Sequence, residues 1–304
     1  MTTSRSGSLL INTLWLVTIL SLLAIAIARY LSLEIRLTTY RAAREQAAIL
    51  ARDGVYLAMQ RLAVDANEGE SLEGTSGRKP YDWLGDEWAQ ITGVSGSEPS
   101  RQIIITIDDE QRKLNLNAAT AGQLTQLTGS ARIAEEILDA SLAKHGPFAV
   151  PEELGDLPEM TPEAYNGLRE STTPYTTLGE PLNLNTVTPE VLRALGLSES
   201  AVQLVARFRE GPDGALTHEQ DGVFQEAGLA VLETLTDEAG VNLAGTSDGA
   251  LLSSALFGVA SNTFTIVSEG RIKRPAARVR VEAVVRRAGC PDKAATCVIA
   301  WRES

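Results

Sequence analysis

The residues of this chain that could carry out chemistry are few and widely spaced. Its 304 residues include two histidines, His145 and His218, and two cysteines, Cys290 and Cys297. Neither histidine has a serine and a carboxylate at the spacing of a catalytic triad, and two histidines supply little material for a zinc site. Adjacent acidic pairs in the presumed helices point their carboxylates apart, because helix neighbours do not face each other. The sequence therefore predicts that the chain is not an enzyme.

Oxygen ligands for a hard cation form one weak cluster. Calcium prefers carboxylate and carbonyl oxygens that are gathered on a loop. Asp108, Asp109 and Glu110 come nearest to such a loop, whereas Asp139 is followed by no further acid until Glu152. We expect no metal and no cofactor, and calcium at Asp108–Glu110 is the alternative that the residues leave open.

The two cysteines lie close to the ends of a short segment with the composition of a turn, Gly289–Ala295. In an oxidising compartment, Cys290 and Cys297 are expected to form a disulfide that closes a small loop. Such a bond contributes about 2–3 kcal/mol by chain-entropy reasoning. Two unpaired thiols are the alternative.

The tetrapeptide Leu-Asn-Leu-Asn occurs twice, at 114–117 and at 182–185. Each copy leads to a threonine that suits a helix N-cap, and in the second copy a proline follows Thr188 at the first helical position. A short helix, a glycine-containing break and a second helix follow in each copy. The pattern predicts an all-helical domain of two hairpin repeats, whose asparagines cap helices and satisfy loop backbone groups. The signature residues are Asn115, Asn117, Asn183 and Asn185.

These repeats resemble the helix-hairpin-helix fold, including its form in late-competence DNA receptors. DNA-binding hairpins of that fold use a Gly-apolar-Gly turn, whose backbone amides bind phosphate. Neither copy here has the second glycine. Between Asn115 and Gly245 there are 20 acidic and 6 basic residues, a net charge of -14, and the whole chain carries -12. Because this charge repels a phosphodiester backbone, we expect a structural or protein-binding role and no nucleic-acid partner.

The N-terminal part of the chain has the pattern of a membrane helix. Ser8–Ala28 contains no charge and would span roughly 30 Å as a helix, one hydrocarbon core. Neither proline nor glycine interrupts the chain from there until Gly54. The sequence predicts one helix over 8–64, with a transmembrane half at 8–28 and an amphipathic second half. A plain signal anchor with a helical stalk is the alternative.

Strand patterns flank the helical repeats on both sides, with a turn expected at Asp108–Gln111. The alternating or β-branched runs are Arg101–Ile107, Thr263–Arg271, Ala277–Arg287 and Thr296–Trp301. One run precedes the repeats and three follow them, which indicates an antiparallel sheet with a helical insertion. The predicted fold class is α+β, with residues 65–114 and 246–304 in the α/β core and 115–245 in the inserted domain.

The N-terminal segment resembles that of the type IV prepilin family. In that family a short basic leader ends in glycine, and a prepilin peptidase cuts after it. Gly7 matches that glycine and Ser8 would be the new N-terminus, so residues 1–7 correspond to the leader. Most members have glutamate at the fifth mature position, where this chain has Asn12. A carboxylate in lipid is costly unless it is paired, and the K-type minor pseudopilins of type II secretion systems characteristically lack it.

The remaining features follow the order found in K-type minor pseudopilins. That group has a Leu-Gly-x-x-Trp element, matched here by Leu84, Gly85 and Trp88, and carries an insertion with the Leu-Asn-Leu-Asn signature between sheet strands. The resemblance covers Gly7 to Trp301. Family members often have an acidic Asp-x-Asp loop in the insertion that resembles a calcium site, and this chain departs from that pattern.

The resemblance implies a single-pass protein of the bacterial inner membrane with its soluble part in the periplasm. Its expected partners are the minor pseudopilins I and J, the prepilin peptidase and secreted cargo. The expected role is to initiate pseudopilus assembly at the tip and to aid export across the outer membrane. Two alternatives belong to other classes: a membrane-anchored DNA-uptake receptor and a signal-anchored periplasmic scaffold.

Overall fold

The computed structural model describes residues 6–65, 81–90, 93–95, 100–143, 146–214, 216, 221–287, 289–290 and 296–304. Its helices are α1 (Ser6–Asp65), α2 (Ala121–Thr128), α3 (Ala131–Ala143), α4 (Pro162–Ser171), α5 (Pro189–Ala194), α6 (Glu199–Glu210), α7 (Leu229–Ala239) and α8 (Ser247–Leu252). Its strands are β1 (Val94–Ser95), β2 (Arg101–Asp109), β3 (Leu114–Asn115), β4 (Thr172–Thr173), β5 (Leu182–Asn183), β6 (Phe257–Gly258), β7 (Thr263–Lys273), β8 (Ala276–Arg286) and β9 (Cys297–Glu303).

The long helix α1 has 60 residues and an axial length of about 90 Å. Its described side chains are exposed from Leu10 up to Ala43, where a buried stripe begins. That stripe is rich in alanine and recurs at helical spacing. It comprises Ala43, Ala47, Ala48, Ala51, Val55, Ala58 and Leu62. The prediction of one long helix with an apolar first half is confirmed.

The main sheet has five strands in the order β1-β2-β7-β8-β9, and every pair is antiparallel. The four predicted strands are therefore confirmed, and β1 is an addition. The turn expected at Asp108–Gln111 was wrong, because Asp108 and Asp109 continue β2 opposite Thr265 and Phe264. The chain turns one step later, in a 3-10 segment at Glu110–Arg112.

The stripe of α1 packs on one face of this sheet at short range. A Cβ placed on Gly270 of β7 would lie 2.0 Å from the backbone oxygen of Ala47, so this crossing point requires a residue without a side chain. Ile105, Ile266 and Val281 of three neighbouring strands fill the core between helix and sheet. This hydrophobic cluster is separate from the cluster that holds the insertion together.

The insertion leaves the sheet after β2 and returns before β7. Its hydrophobic cluster extends from Leu114 to Val259 and therefore continues past the boundary predicted at residue 245. Helix α8 packs on α7, and Phe257 of β6 lies in the same cluster. The sequence did not reveal this continuation, because β6 is only two residues long and pairs with the distant strand β5.

The two repeats are alike in structure as well as in sequence. In the first, Leu114 and Asn115 of β3 pair in parallel with Thr172 and Thr173 of β4. In the second, β5 pairs in parallel with β6. Each copy therefore begins with a short strand, continues through a helical hairpin and ends with a strand that returns beside the first. The prediction of an all-helical insertion was thus incomplete, because it did not include these two short parallel strand pairs.

Candidate functional site: membrane helix and insertion junction

The first half of α1 has the length and composition of a membrane span. An 18-residue stretch within it has a mean hydropathy of 2.3, and none of that stretch is buried. Gly7 and Ser8 lie in the first turn of the helix backbone, whereas Met1–Arg5 lie outside the described residues. Asn12, at the predicted fifth mature position, lies on the exposed helix surface one turn further on.

The hydroxyl groups of this segment bond within the helix. Thr13 and Ser21 donate to backbone oxygens three and four residues earlier, at 2.9 Å and 2.7 Å. Thr18 donates to the carbonyl of Leu14 at 2.5 Å. Because a donor without a partner is costly in hydrocarbon, these bonds make the polar residues compatible with a membrane span.

The loop that follows α1 is anchored by Trp88, which is buried. Its indole N–H donates to the Asp86 carboxylate at 3.2 Å, and its ring meets Phe264 edge to face with centroids 5.1 Å apart. Gly85 lies beneath the indole of Trp83, where a Cβ would be 2.2 Å from the ring. The Leu-Gly-x-x-Trp element therefore holds the loop on the sheet by packing.

A buried arginine joins the end of α1 to this loop and to the sheet. Arg287 follows β8, and its guanidinium contacts Asp65 at 3.0 Å and Asp82 at 2.5 Å. It also donates to the backbone oxygen of Ser261 at 2.6 Å and lies 4.7 Å from the centre of the Phe264 ring. No local sequence pattern marks this arginine, since its acidic partners are 205 and 222 residues away.

A second buried carboxylate joins the sheet to the insertion. One oxygen of Asp109 accepts from the hydroxyls of Thr186 and Ser261, both at 2.6 Å, and from the Asn183 side chain at 3.2 Å. The other oxygen accepts from the backbone N–H of Gln111 at 2.8 Å. This set joins the end of β2, the start of the second repeat and the segment that leads into β7.

Burial raises the pKa of Asp109 to about 6. The hydrogen bonds from Ser261 and Thr186 favour the charged form but do not offset the loss of solvent, and the charge of Asp82 adds to the increase. Asp109 is therefore the group of this junction with a pKa shifted towards neutral pH.

The second asparagine of each repeat binds the backbone of one phenylalanine. Asn117 donates to the carbonyl of Phe148 at 3.0 Å and accepts from its N–H at 2.8 Å. Asn185 makes the same pair of bonds with Phe224, both at 2.9 Å. Each asparagine thus fastens the segment after its helical hairpin to the start of the repeat.

The first asparagine of each repeat shapes the following turn. Its side-chain oxygen accepts from the backbone N–H two residues on, at 2.9 Å for Asn115 and 3.0 Å for Asn183. The expectation that the asparagines cap helices was wrong, since the N-caps are Thr120 and Thr188. The expectation that they satisfy loop backbone groups agrees with these bonds.

The acidic run considered for calcium does not converge on one point. Asp108 pairs with Arg112 at 2.9 Å and with Lys113 at 2.8 Å, and Lys113 also pairs with Glu110 at 2.9 Å. Burial opposes ionisation of Asp108, but Lys113 and Arg112 outweigh burial and hold its pKa below the ordinary value. The Asp109 side chain is directed to the buried junction. Successive strand residues alternate between faces, which separates Asp109 from Asp108 and Glu110, and Lys113 occupies the point that the latter two share.

Carboxylates do converge at Asp65, Asp82 and Asp86, whose oxygens lie within 4.8 Å of one another. The Arg287 guanidinium supplies positive charge there, and Asp86 accepts from the Trp83 backbone and the Trp88 indole. These donors bond to all three carboxylates.

The cysteine pair and the glycines of the two hairpin breaks complete the predicted residues that the structure describes. Cys290 and Cys297 are joined in a disulfide, with their Cα atoms 5.7 Å apart. His145 and His218 lie outside the described residues. The glycines at the two hairpin breaks, Gly129 and Gly196, adopt positive φ angles of 69° and 98°. Gly129 is the C-cap of α2, and Gly196 follows Leu195, the C-cap of α5.

Comparison with solved structures finds a similar architecture. The structure matches a chain of the crystal structure of the GspK-GspI-GspJ complex from the type 2 secretion system of enterotoxigenic Escherichia coli. The TM-score is 0.61 with 18% sequence identity, over 88% of this chain and 99% of that chain. Searches with protein-family models and against curated proteins found no match. At this identity the likeness establishes the fold alone, namely a long helix, an antiparallel sheet and a helical insertion.

Proposed function

We propose that this chain is a K-type minor pseudopilin of a type II secretion system, with a structural and not a catalytic role. The observation that carries the proposal is the match over 88% of the chain to a structure that contains GspK together with GspI and GspJ. A match of that extent includes both the sheet and the helical insertion. The sequence resemblance at Gly7, Asn12 and the two Leu-Asn-Leu-Asn copies supports the same assignment independently.

In this proposal α1 anchors the chain in the inner membrane after cleavage behind Gly7, and the sheet and insertion project into the periplasm. The chain joins minor pseudopilins I and J at the tip of the pseudopilus, where it initiates assembly and aids export of cargo. Asn12 fits a terminal subunit, since a subunit with no neighbour ahead of it needs no carboxylate in lipid. The bulk of the insertion beside the sheet also fits a position at the end of a filament.

The intact mass of the membrane-extracted protein tests the first step. Expressed with a prepilin peptidase, the chain should lose Met1–Gly7, and Gly7→Val should retain the full mass. An Ala28→Val variant should be processed like the wild type, because it lies far from the cleavage site. An uncut chain would contradict the proposal and favour a signal-anchored scaffold.

Co-purification tests the partners. The full chain should recover pseudopilins I and J of the same system together, and an Asn12→Glu variant should reveal whether the fifth position matters for a terminal subunit. Recovery of neither partner would contradict the tip assignment even if the leader is cut.

A further inference from the structure

Basic residues are concentrated at the membrane-proximal end of this acidic protein. The segment Arg271–Arg280, which forms the β7–β8 hairpin, contains five basic residues and no acidic one. The part of α1 at 29–44 contains four arginines and one glutamate. These two segments carry one third of the 27 lysines and arginines of the chain, whereas the insertion between Asn115 and Gly245 has a net charge of -14.

The packing of α1 fixes which end of the sheet faces the membrane. Ser268 of β7 lies against Gly54, and Gly270 lies against Ala47, so β7 runs towards the N-terminal end of α1. Its last residue, Lys273, lines the same surface depression as Tyr40, the level at which the helix leaves the sheet. The hairpin turn is therefore the part of the sheet nearest to the membrane span.

The charges at this turn are exposed and available. Lys273, Arg274, Pro275 and Ala276 are all exposed. Neither Lys273 nor Arg274 forms an ion pair within the described part of the chain, and the same holds for the arginines of α1 between residues 29 and 44. Glu269 is the acid closest to the hairpin in the sheet, and it is already shared by Arg271 and Arg278.

The distance to the lipid surface is short enough for these charges to act. From residue 28, where the uncharged run ends, to residue 40, the helix rises roughly 18 Å. A headgroup layer covers about 5–8 Å of that rise. The remaining gap between the headgroups and the hairpin is shortened by the length of the basic side chains and by a helix tilt of about 20°. Charges still interact across what is left, since the Debye length is about 8 Å at physiological ionic strength.

We propose that the β7–β8 hairpin, through Lys273 and Arg274, is a second membrane contact of the chain and binds anionic lipid headgroups. This inference rests on the proposed membrane anchoring of α1. The contact holds the sheet against the bilayer and directs the acidic insertion away from it, because like charge repels the insertion from the same surface. The chain would thus be oriented on the membrane before it enters an assembly.

The test uses the full chain in lipid nanodiscs that carry a headgroup quencher. Ala276→Cys supplies a single thiol for a fluorophore, because Cys290 and Cys297 are joined to each other, and Leu178→Cys on the insertion serves as the distant reference. We expect stronger quenching at position 276 in discs of equal phosphatidylcholine and phosphatidylglycerol than in pure phosphatidylcholine, and loss of the difference at about 1 M salt.

The variant K273S/R274S should lower the lipid-dependent quenching at position 276, because each charge removed should lower the equilibrium constant of the lipid contact by about fivefold. The matched control R61S/R132S removes two exposed charges far from the hairpin and should leave it unchanged. Quenching that is independent of lipid charge in a chain that stays in the disc would overturn this inference alone. A chain that does not stay in the disc would overturn both this inference and the membrane anchoring. Salt-sensitive self-association without lipid dependence would assign the patch to an acidic protein surface instead.

Discussion

Arg287 is the residue on which three parts of the molecule depend. Its guanidinium contacts Asp65 at the end of α1, Asp82 in the following loop and the carbonyl of Ser261 before β7. Its side chain is 2% exposed, so none of these charges can be compensated by solvent. Removing one partner of a buried ion pair leaves the other uncompensated, which costs more than the pair contributes.

We therefore expect Arg287→Ala to lower the free energy of unfolding by about 3–5 kcal/mol. Arg278→Ala removes an exposed arginine from the opposite end of β8 and should change the free energy of unfolding by less than about 1 kcal/mol. Chemical denaturation of the detergent-solubilised chain measures both. Equal effects of the two substitutions would show that the junction is solvated and that Arg287 holds nothing together.

Asp109 makes stability depend on pH in a direction opposite to that of a salt-bridged acid. Its pKa of about 6 in the folded chain lies above the ordinary value of 3.8. The folded state therefore binds the proton more tightly, and this contribution to stability is full below pH 4 and is lost as pH rises through 6. Asp109→Asn removes the titratable group. One carboxylate oxygen becomes an NH2 group, which cannot accept the hydrogen bonds made at that position.

The comparison to make is the difference in unfolding free energy between wild type and Asp109→Asn at pH 4, 5, 6 and 7. Relative to the variant, the wild type should lose stability across that range. Asn166→Ser, on the exposed surface of α4, is the control that changes no titratable group, so its difference from wild type should stay flat. A constant difference for Asp109→Asn would mean that Asp109 titrates normally.

At the scale of elements, the two repeats show which part of the structure the sequence predicted and why. The Leu-Asn-Leu-Asn copies predicted the repeats and their helix starts, since N-caps and glycine breaks are local signals. The partners of Asn117 and Asn185 lie 31 and 39 residues away, so the sequence did not show what those amides bind. The sequence did not predict the short strands β3 to β6, because two residues are too few to show a periodic pattern.

Asn185→Asp tests the attachment of the second repeat. The carboxylate can still accept from the Phe224 N–H but cannot donate to its carbonyl, and the site is buried. We expect a loss of about 1–3 kcal/mol and faster hydrogen exchange of the backbone around Phe224. Asn166→Asp, on the exposed surface of α4, should affect neither quantity. Unchanged hydrogen exchange at Phe224 would show that the two hydrogen bonds from Asn185 are not needed to hold that segment.

At the scale of the whole molecule, the insertion is joined to the sheet at the polar junction around Asp109 and by two further contacts. In these, Arg286 of β8 donates to the Tyr175 carbonyl at 3.1 Å, and Arg302 of β9 pairs with Glu152. Gln111 lies where the chain enters the insertion, and Asn262 lies where it returns to the sheet. The Gln111 side chain accepts a hydrogen bond from the Asn262 backbone N–H. The helix-and-sheet core and the insertion also bury separate hydrophobic clusters. The sequence predicted this two-part plan from strand patterns on either side of the repeats. It did not predict the polar junction, whose members are distant in sequence and individually unremarkable.

This plan predicts that the core folds without the insertion. Replacing residues 112–260 with a short Asn-Gly turn joins Gln111 to Ser261, two ends that already lie together, and loop closure there costs little. The shortened chain should keep the Cys290–Cys297 disulfide and a cooperative thermal transition. Because removal of the insertion exposes Asp109 to solvent, the pKa of Asp109 should move back towards its ordinary value. Adding Arg287→Ala to the shortened chain should abolish the transition, because Asp65 and Asp82 would lose their shared cation. A shortened chain without a cooperative transition would instead show that the insertion is required to hold α1 on the sheet, and that the two hydrophobic clusters form one folding unit.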